Sequence, residues 1–332
     1  MGPVPPVGDV RRPALRTCME VPKVASESRA GAPRARFEPI DALRIEGFKS
    51  IRDPVEVEIK PLTILAGRNS AGKSSLIQPL LLLKQTLEAP YDPGPVLLDG
   101  PCVRFTHAQQ TLWADPEEAG APQGWMVGVR SGSTWVDTRY ALAGAELELI
   151  HTARESTQGA REVLGPGQSN TGSSLTDEDV EYLDGILGYG GWQPWVERER
   201  CGYVLCVGPY GGPATWIFDR LFNPEPFLHL IHLPGLRGNP ERSYPITGVS
   251  QQFPGPFQTY TASVLMAWRD KQDPRLEGVR ADLARLGLTG WVEPERREGT
   301  RVELKVSRWE GERSATSRGM VNIADVGSGS RR

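Results

Sequence analysis

Leu62-Thr63-Ile64-Leu65-Ala66-Gly67-Arg68-Asn69-Ser70-Ala71-Gly72-Lys73-Ser74-Ser75 decides how the rest of the chain is read. An apolar, β-branched run leads into a loop bounded by glycines, and a helix start follows. The pattern Gly-x-x-x-x-Gly-Lys-Ser is a phosphate-binding loop, or P-loop. Gly67 and Gly72 permit backbone angles that a Cβ resists, so the loop can turn its N–H groups inward around an anion. The helix start adds its positive end and free N–H groups. Lys73 is expected to reach the β- and γ-phosphates, and the Ser74 hydroxyl to ligate Mg²⁺. The expected nucleotide-binding set is Gly67, Arg68, Asn69, Ser70, Ala71, Gly72, Lys73, Ser74 and Ser75.

Context supports the motif on both sides. The run before Gly67 reads as a buried strand. After Ser75, Leu76, Leu80, Leu83 and Leu87 recur with helical spacing, beside Ile77 and Leu81. Pro79 lies inside this helix, where it removes a hydrogen bond. Upstream, Ala42 to Ile51 and the alternation Val55, Val57, Ile59 with Glu56, Glu58 read as two antiparallel strands with one face buried.

These segments together carry a resemblance. A strand ending in Gly47-Phe48-Lys49-Ser50-Ile51, a short hairpin and then the P-loop resemble the N-terminal half of an ABC-type ATPase head. Within that class the chain is similar to the bacterial AAA-family ATPases of the RecF/SMC/OLD-like group, which also carry a stretch like Gln78-Pro79-Leu80-Leu81-Leu82-Leu83-Lys84-Gln85-Thr86. The resemblance implies an α/β P-loop NTPase fold with an antiparallel β subdomain, ATP and Mg²⁺ as cofactors, and ATP hydrolysis coupled to closure of two heads as a homodimer. It implies DNA repair or phage defence as a setting, with nucleic acid or a nuclease as a possible partner. It also points to a glutamine that senses Mg²⁺ and the γ-phosphate, for which Gln109 and Gln110 are candidates.

Further along, residues 125–129, 134–140 and 145–150 read as strands of an antiparallel meander with glycine turns. Residues 159–179 read as a polar loop, and residues 155–215 as an insertion. Trp192, Trp195 and Tyr210 could stack bases but more often pack an insertion of this kind. Residues 228–233 read as a strand. His229 and His232 within it lack the companions a metal site needs. Arg237 and Arg242 follow in a turn-rich segment and could touch nucleotide or a partner. Two helices then place Phe257, Tyr260, Val264, Trp268 and Leu276, Val279, Leu283, Leu286 on apolar faces.

The chain closes on Val321-Asn322-Ile323-Ala324-Asp325-Val326-Gly327-Ser328-Gly329. This resembles the signature segment of the same group, Asn-Ile-Ala-Asp-Val-Gly followed by Phe-Gly-Val-Ser-Gln. The pattern is lost after Gly329, and the Walker B strand with its catalytic acid is not found. With the assumed codons GGC TTC GGG GTC TCG CAG G for Gly-Phe-Gly-Val-Ser-Gln, deletion of one T yields Gly-Ser-Gly-Ser-Arg-Arg, so the residues at 327–332 are compatible with a frameshift. The expectation is therefore a head without its C-terminal lobe, ATP-binding, with weak or absent turnover. The alternatives are a nucleotide-dependent assembly module without turnover and a non-functional frameshifted fragment. Asp219, ending the run Trp216-Ile217-Phe218-Asp219, is the nearest internal substitute for the missing acid.

Composition sets the remaining bounds. The 332 residues are 39% hydrophobic, enough for a sizeable core, and the formal net charge of -3 carries no global signature of nucleic-acid binding. No run approaches the roughly 20 apolar residues of a membrane span, so no membrane partner is expected and the expected location is cytoplasmic. Residues 1–37, rich in Pro and basic side chains, read as a disordered tail ahead of a head at 38–332. Cys18, Cys102, Cys201 and Cys206 are scattered and read as reduced thiols.

Overall fold

A computed structural model describes residues 19–20, 38–68, 71–113, 123–156, 159, 161–166, 175, 177–187, 191–209, 216–234, 240–250, 253, 255–297, 299–307 and 319–326. The chain divides into two compact units. The first holds residues 1–79, 92–96 and 105–224, and the second holds 80–91, 97–104 and 225–332.

In the first unit the elements are β1 (Met19–Glu20), β2 (Ala42–Glu46), β3 (Val55–Glu58), the start of α1 (Lys73–Glu88), β4 (Gly124–Ser131), β5 (Thr134–Ala143), β6 (Glu146–Ser156), β7 (Arg161–Leu164), α2 (Asp177–Leu187), β8 (Trp192–Glu199), β9 (Gly202–Pro209) and β10 (Trp216–Arg220). Strands β3-β2-β4-β5-β6-β7 form one antiparallel sheet. The meander read from the sequence is its β4–β6 portion. A second sheet has the order β1-β10-β9-β8, antiparallel except where β1 pairs with β10.

The first sheet buries a row of rings. Phe48, Trp125 and Tyr140 are all at 0% exposure, with the Phe48 and Trp125 centroids 5.3 Å apart and those of Trp125 and Tyr140 4.4 Å apart. The Tyr140 hydroxyl donates to the Cys201 carbonyl at 3.1 Å, and the Tyr203 hydroxyl to the Leu149 carbonyl at 2.7 Å. These bonds satisfy two phenols that burial would otherwise penalise, and they tie the two sheets of this unit. Strand β3 is an edge, and Val55 is exposed, so the buried face expected for this strand is not formed.

The second unit contains the remainder of α1, α3 (Glu225–Leu228), β11 (Tyr244–Pro245), α4 (Thr261–Asp270), α5 (Arg275–Arg285), β12 (Val292–Arg297), β13 (Arg301–Ser307) and β14 (Met320–Asn322). Strand β13 pairs with β12 along its length and with β11 and β14 at its two ends. Ala262, Leu265 and Met266 of α4 and Leu276 of α5 pack on Val292, Val302, Leu304 and Val306 of this sheet. The apolar faces read from the sequence differ at two places: Phe257 to Thr259 forms a 3₁₀ turn ahead of α4, and Leu286 lies beyond α5 and is 66% exposed.

Three sequence readings need correction. Residues 62–66 are not a strand, and Leu62 and Ile64 are 78% and 77% exposed. A run this apolar becomes a strand only against neighbouring strands, and none pairs with it among the described residues. Residues 228–233 are not a strand, because α3 ends at Leu228 and only a bridge from His232 to Pro256 follows. Finally, β7 and α2 occupy part of the segment read as a loop.

Candidate functional site

The P-loop lies in the first unit, and α1 begins at Lys73 as the motif requires. Gly72 has φ +83°, and a Cβ there would stand 2.5 Å from the Ser50 hydroxyl oxygen. A side chain there would be strained by that backbone and would have to displace the Ser50 hydroxyl. The Lys73 ammonium turns back into the loop and donates to the carbonyls of Gly67 at 2.8 Å and Arg68 at 2.7 Å. Ala71 N–H donates to the Arg68 carbonyl at 3.2 Å, and Ser75 N–H to the Gly72 carbonyl at 2.9 Å. Asn69 and Ser70 lie outside the described residues.

The two serines that follow take different surroundings. Ser74 is exposed, so its hydroxyl is open to a ligand. Ser75 is buried, and its hydroxyl lies 3.1 Å from that of Ser50. The first turn of α1 carries no acidic residue that would offset the positive end of the helix.

Ser50 belongs to a tight turn after β2. Gly47 has φ +73°, and a Cβ there would stand 2.4 Å from the Gly124 carbonyl oxygen. Lys49 is also left-handed, at φ +51°. The turn is held by Ile51 N–H to the Phe48 carbonyl (2.9 Å), Lys49 N–H to the Thr111 carbonyl (3.1 Å) and Trp113 N–H to the Gly47 carbonyl (2.7 Å). The Lys49 ammonium is 3.1 Å from the Gln78 side-chain oxygen and 5.2 Å from the centre of the Phe105 ring. Sequence reading singled out neither Lys49 nor Ser50 as a site residue. The signal was present in the Gly-Phe-Lys-Ser-Ile string, but the contact with α1 is not local in sequence.

The other candidates divide. Gln110 accepts from the Thr106 N–H at 2.8 Å and so helps hold the 3₁₀ turn Ala108–Thr111; both Gln109 and Gln110 are exposed. Asp219 is not offered to a metal. Its carboxylate takes Arg154 at 2.7 Å, and that guanidinium also meets Glu162. His229 pairs with Glu225 at 3.3 Å. Among the described residues no group of three His, Cys, Asp or Glu could hold a metal ion. Trp192 donates to Asp184 at 2.8 Å, and Trp195 packs on Val204, Cys206 and Ile217, so both serve packing. Tyr210 and Arg237 lie outside the described residues.

In the second unit, the segment resembling a signature is ordered by Arg242. Its guanidinium meets Asp325 at 2.6 Å, while the Asn322 amide donates to the Arg242 carbonyl at 2.7 Å. The Asn322 side-chain oxygen accepts from Ala324 N–H at 2.9 Å and caps the turn Ile323–Asp325.

Residues 39–121 match the family model described as an AAA ATPase domain. That match supports an ATPase of the AAA type and implies nucleotide binding, ordinarily with Mg²⁺. It covers the turn after β2, the P-loop and α1. No curated protein matches the chain.

Proposed function

We propose that this chain binds Mg-ATP in the loop from Gly67 to Ser75, as an ATPase head of the RecF/SMC/OLD-like class. The observation that carries this reading is the loop itself. A side chain at the left-handed Gly72 would have to displace the Ser50 hydroxyl, and Lys73 turns inward on the loop carbonyls. Ser74 stands exposed at the start of a helix whose first turn has no acid. These are the donors a triphosphate and its metal require, so the residues present fit the ligand. Lys73 and the N–H groups of the helix start would hold phosphate oxygens, and the Ser74 hydroxyl would be a metal ligand. When bound, Mg²⁺ neutralises phosphate charge.

Hydrolysis also needs a carboxylate to orient water. Asp219, the internal candidate, is neutralised by Arg154. This favours a second reading, in which the chain binds nucleotide to control assembly and turns it over weakly or not at all without an acid from another polypeptide. A homodimer of heads, a nucleic acid or nuclease partner, and a role in DNA repair or phage defence are proposed on the resemblance alone.

The test is Mg-ATP binding by the full chain beside Lys73→Ala, with ADP production followed in the same samples. Losing the charged bonds of Lys73 should weaken binding by about tenfold or more. Binding without ADP supports the assembly reading, and ADP production that depends on Lys73 supports the ATPase. Equal binding by both proteins rules out the P-loop as the site.

A further inference from the structure

Lys49 is a half-buried cation that meets no counter-ion among the described residues. Among the described residues its ammonium meets only the Gln78 amide oxygen, at 3.1 Å, and the face of Phe105, at 5.2 Å. A partly desolvated ammonium gains more from an anion than from two neutral partners. At φ +51° Lys49 holds a left-handed backbone in which glycine would rest without strain, as Arg200 and Gln272 do elsewhere in the chain.

Placement names a use for the Lys49 side chain. Lys49 and Ser50 are adjacent, and they touch α1 at Gln78 and Ser75. Gln78 follows Ser74 by four positions and Ser75 by three, so all three share one face of the helix. Side chains on a helix lean toward its N-terminus, so the Gln78 amide presents the Lys49 ammonium toward the end where the P-loop closes. The flexible stem of lysine spans the remaining turn. Ser50 closes the arrangement from below. Its hydroxyl occupies the space that the missing Cβ of Gly72 leaves and bonds Ser75, which seats the first turn of α1.

We propose that Lys49 is a second triphosphate-binding cation of this site, directed at the terminal phosphate, and that Ser50 is a positioning residue acting through Ser75. The proposal rests on the P-loop reading above and adds to it a residue that distinguishes triphosphate from diphosphate. The Gln78 amide is the resting place of the ammonium, and a terminal phosphate with its bound metal is the anion that draws it away.

The test uses the full chain, with Mg-ATP and Mg-ADP each titrated calorimetrically into the wild type, Lys49→Gly, Lys49→Arg, Ser50→Ala and Lys73→Ala. Lys49→Gly removes the charge while relieving the backbone, so it should melt at the same temperature as the wild type or higher. It should weaken Mg-ATP about tenfold or more and Mg-ADP by about threefold or less. Lys49→Arg should restore most of the difference, and Ser50→Ala should weaken both nucleotides alike. In the wild type, acetylation of Lys49 followed by mass spectrometry should slow with Mg-ATP more than with Mg-ADP. An unchanged ratio of ATP to ADP affinity in Lys49→Gly, or equal protection of Lys49 by both nucleotides, overturns the proposal and leaves the P-loop reading standing. Binding that ignores Lys73→Ala overturns both.

Discussion

Asp137, in the middle of β5, carries a buried carboxylate in an antiparallel sheet. Its neighbour across the ladder is Gly128, and a Cβ there would stand 1.9 Å from the Asp137 Oδ1 atom. The missing side chain lets the Arg44 guanidinium approach over Gly128 to 3.8 Å from Oδ2, while Oδ1 is buried without a hydrogen-bond partner among the described residues. Burial pushes the Asp137 carboxyl above the usual carboxylate range, and the Arg44 charge offsets this only in part. An acid whose pKa is raised by folding keeps its proton in the native state after the unfolded chain has released it. Stability therefore falls as pH rises from about 4 through the raised native value. Asp137→Asn removes that dependence. Its melting temperature should exceed that of the wild type at neutral pH, and the gap should shrink as pH falls toward about 4. A gap that stays constant with pH would show that Arg44 offsets the burial in full.

The segment from Pro61 to Ala66 behaves as an element without its surroundings. Leu62, Thr63, Ile64 and Leu65 are all exposed. A strand covered on neither face loses the apolar burial for which its residues are suited, about 1.5–3 kcal/mol for each large side chain. Exposed, unpaired and β-prone, it is a template for pairing with another chain. Joint replacement of Leu62 and Ile64 by Ser should reduce self-association, read as a fall in average mass by light scattering at matched concentration. A wild type already monomeric at that concentration would mean the segment is covered in solution. Elsewhere α1 meets the opposite condition. Residues from Leu80 to Thr86 are buried all round, and Gln85 and Thr86 are spent on backbone. Gln85 accepts from the N–H groups of Cys102 and Val103 and donates to the carbonyls of Leu97 and Val103. Lys84 pairs with Glu88, whose other oxygen accepts from Gly255 N–H at 2.8 Å. A helix that reads as a leucine stripe in sequence is therefore also a polar anchor for two loops of its own unit.

At the scale of the whole molecule, ligand binding and folding are linked. A nucleotide that binds only the folded chain stabilises it by about 2.7 kcal/mol at a free concentration of 100 times its Kd. For a chain of this length that corresponds to a rise in melting temperature of roughly 4 °C. Mg-ATP should produce such a rise in the wild type and not in Lys73→Ala. A rise of equal size in both would place the binding site away from the P-loop. Because the molecule divides into two compact units, the melt should be followed by more than one probe, since a single midpoint describes only a two-state transition.

Sequence alone determined the parts of this protein whose physics is local. The P-loop was legible because glycines, Lys73 and Ser74 must stand at fixed spacing to wrap an anion. The helix after it, the β4–β6 meander and the helices α4 and α5 were legible because their apolar periods are local too. Tertiary structure decided what depends on partners distant in the chain. It removed the strand expected at Leu62–Ala66, because a strand exists only by pairing. It gave Asp219 to Arg154 and engaged Gln110 in a turn, because a side chain's partners depend on what packs beside it. It also brought Lys49 and Ser50 against the first turns of α1, a contact that no spacing within the chain encodes.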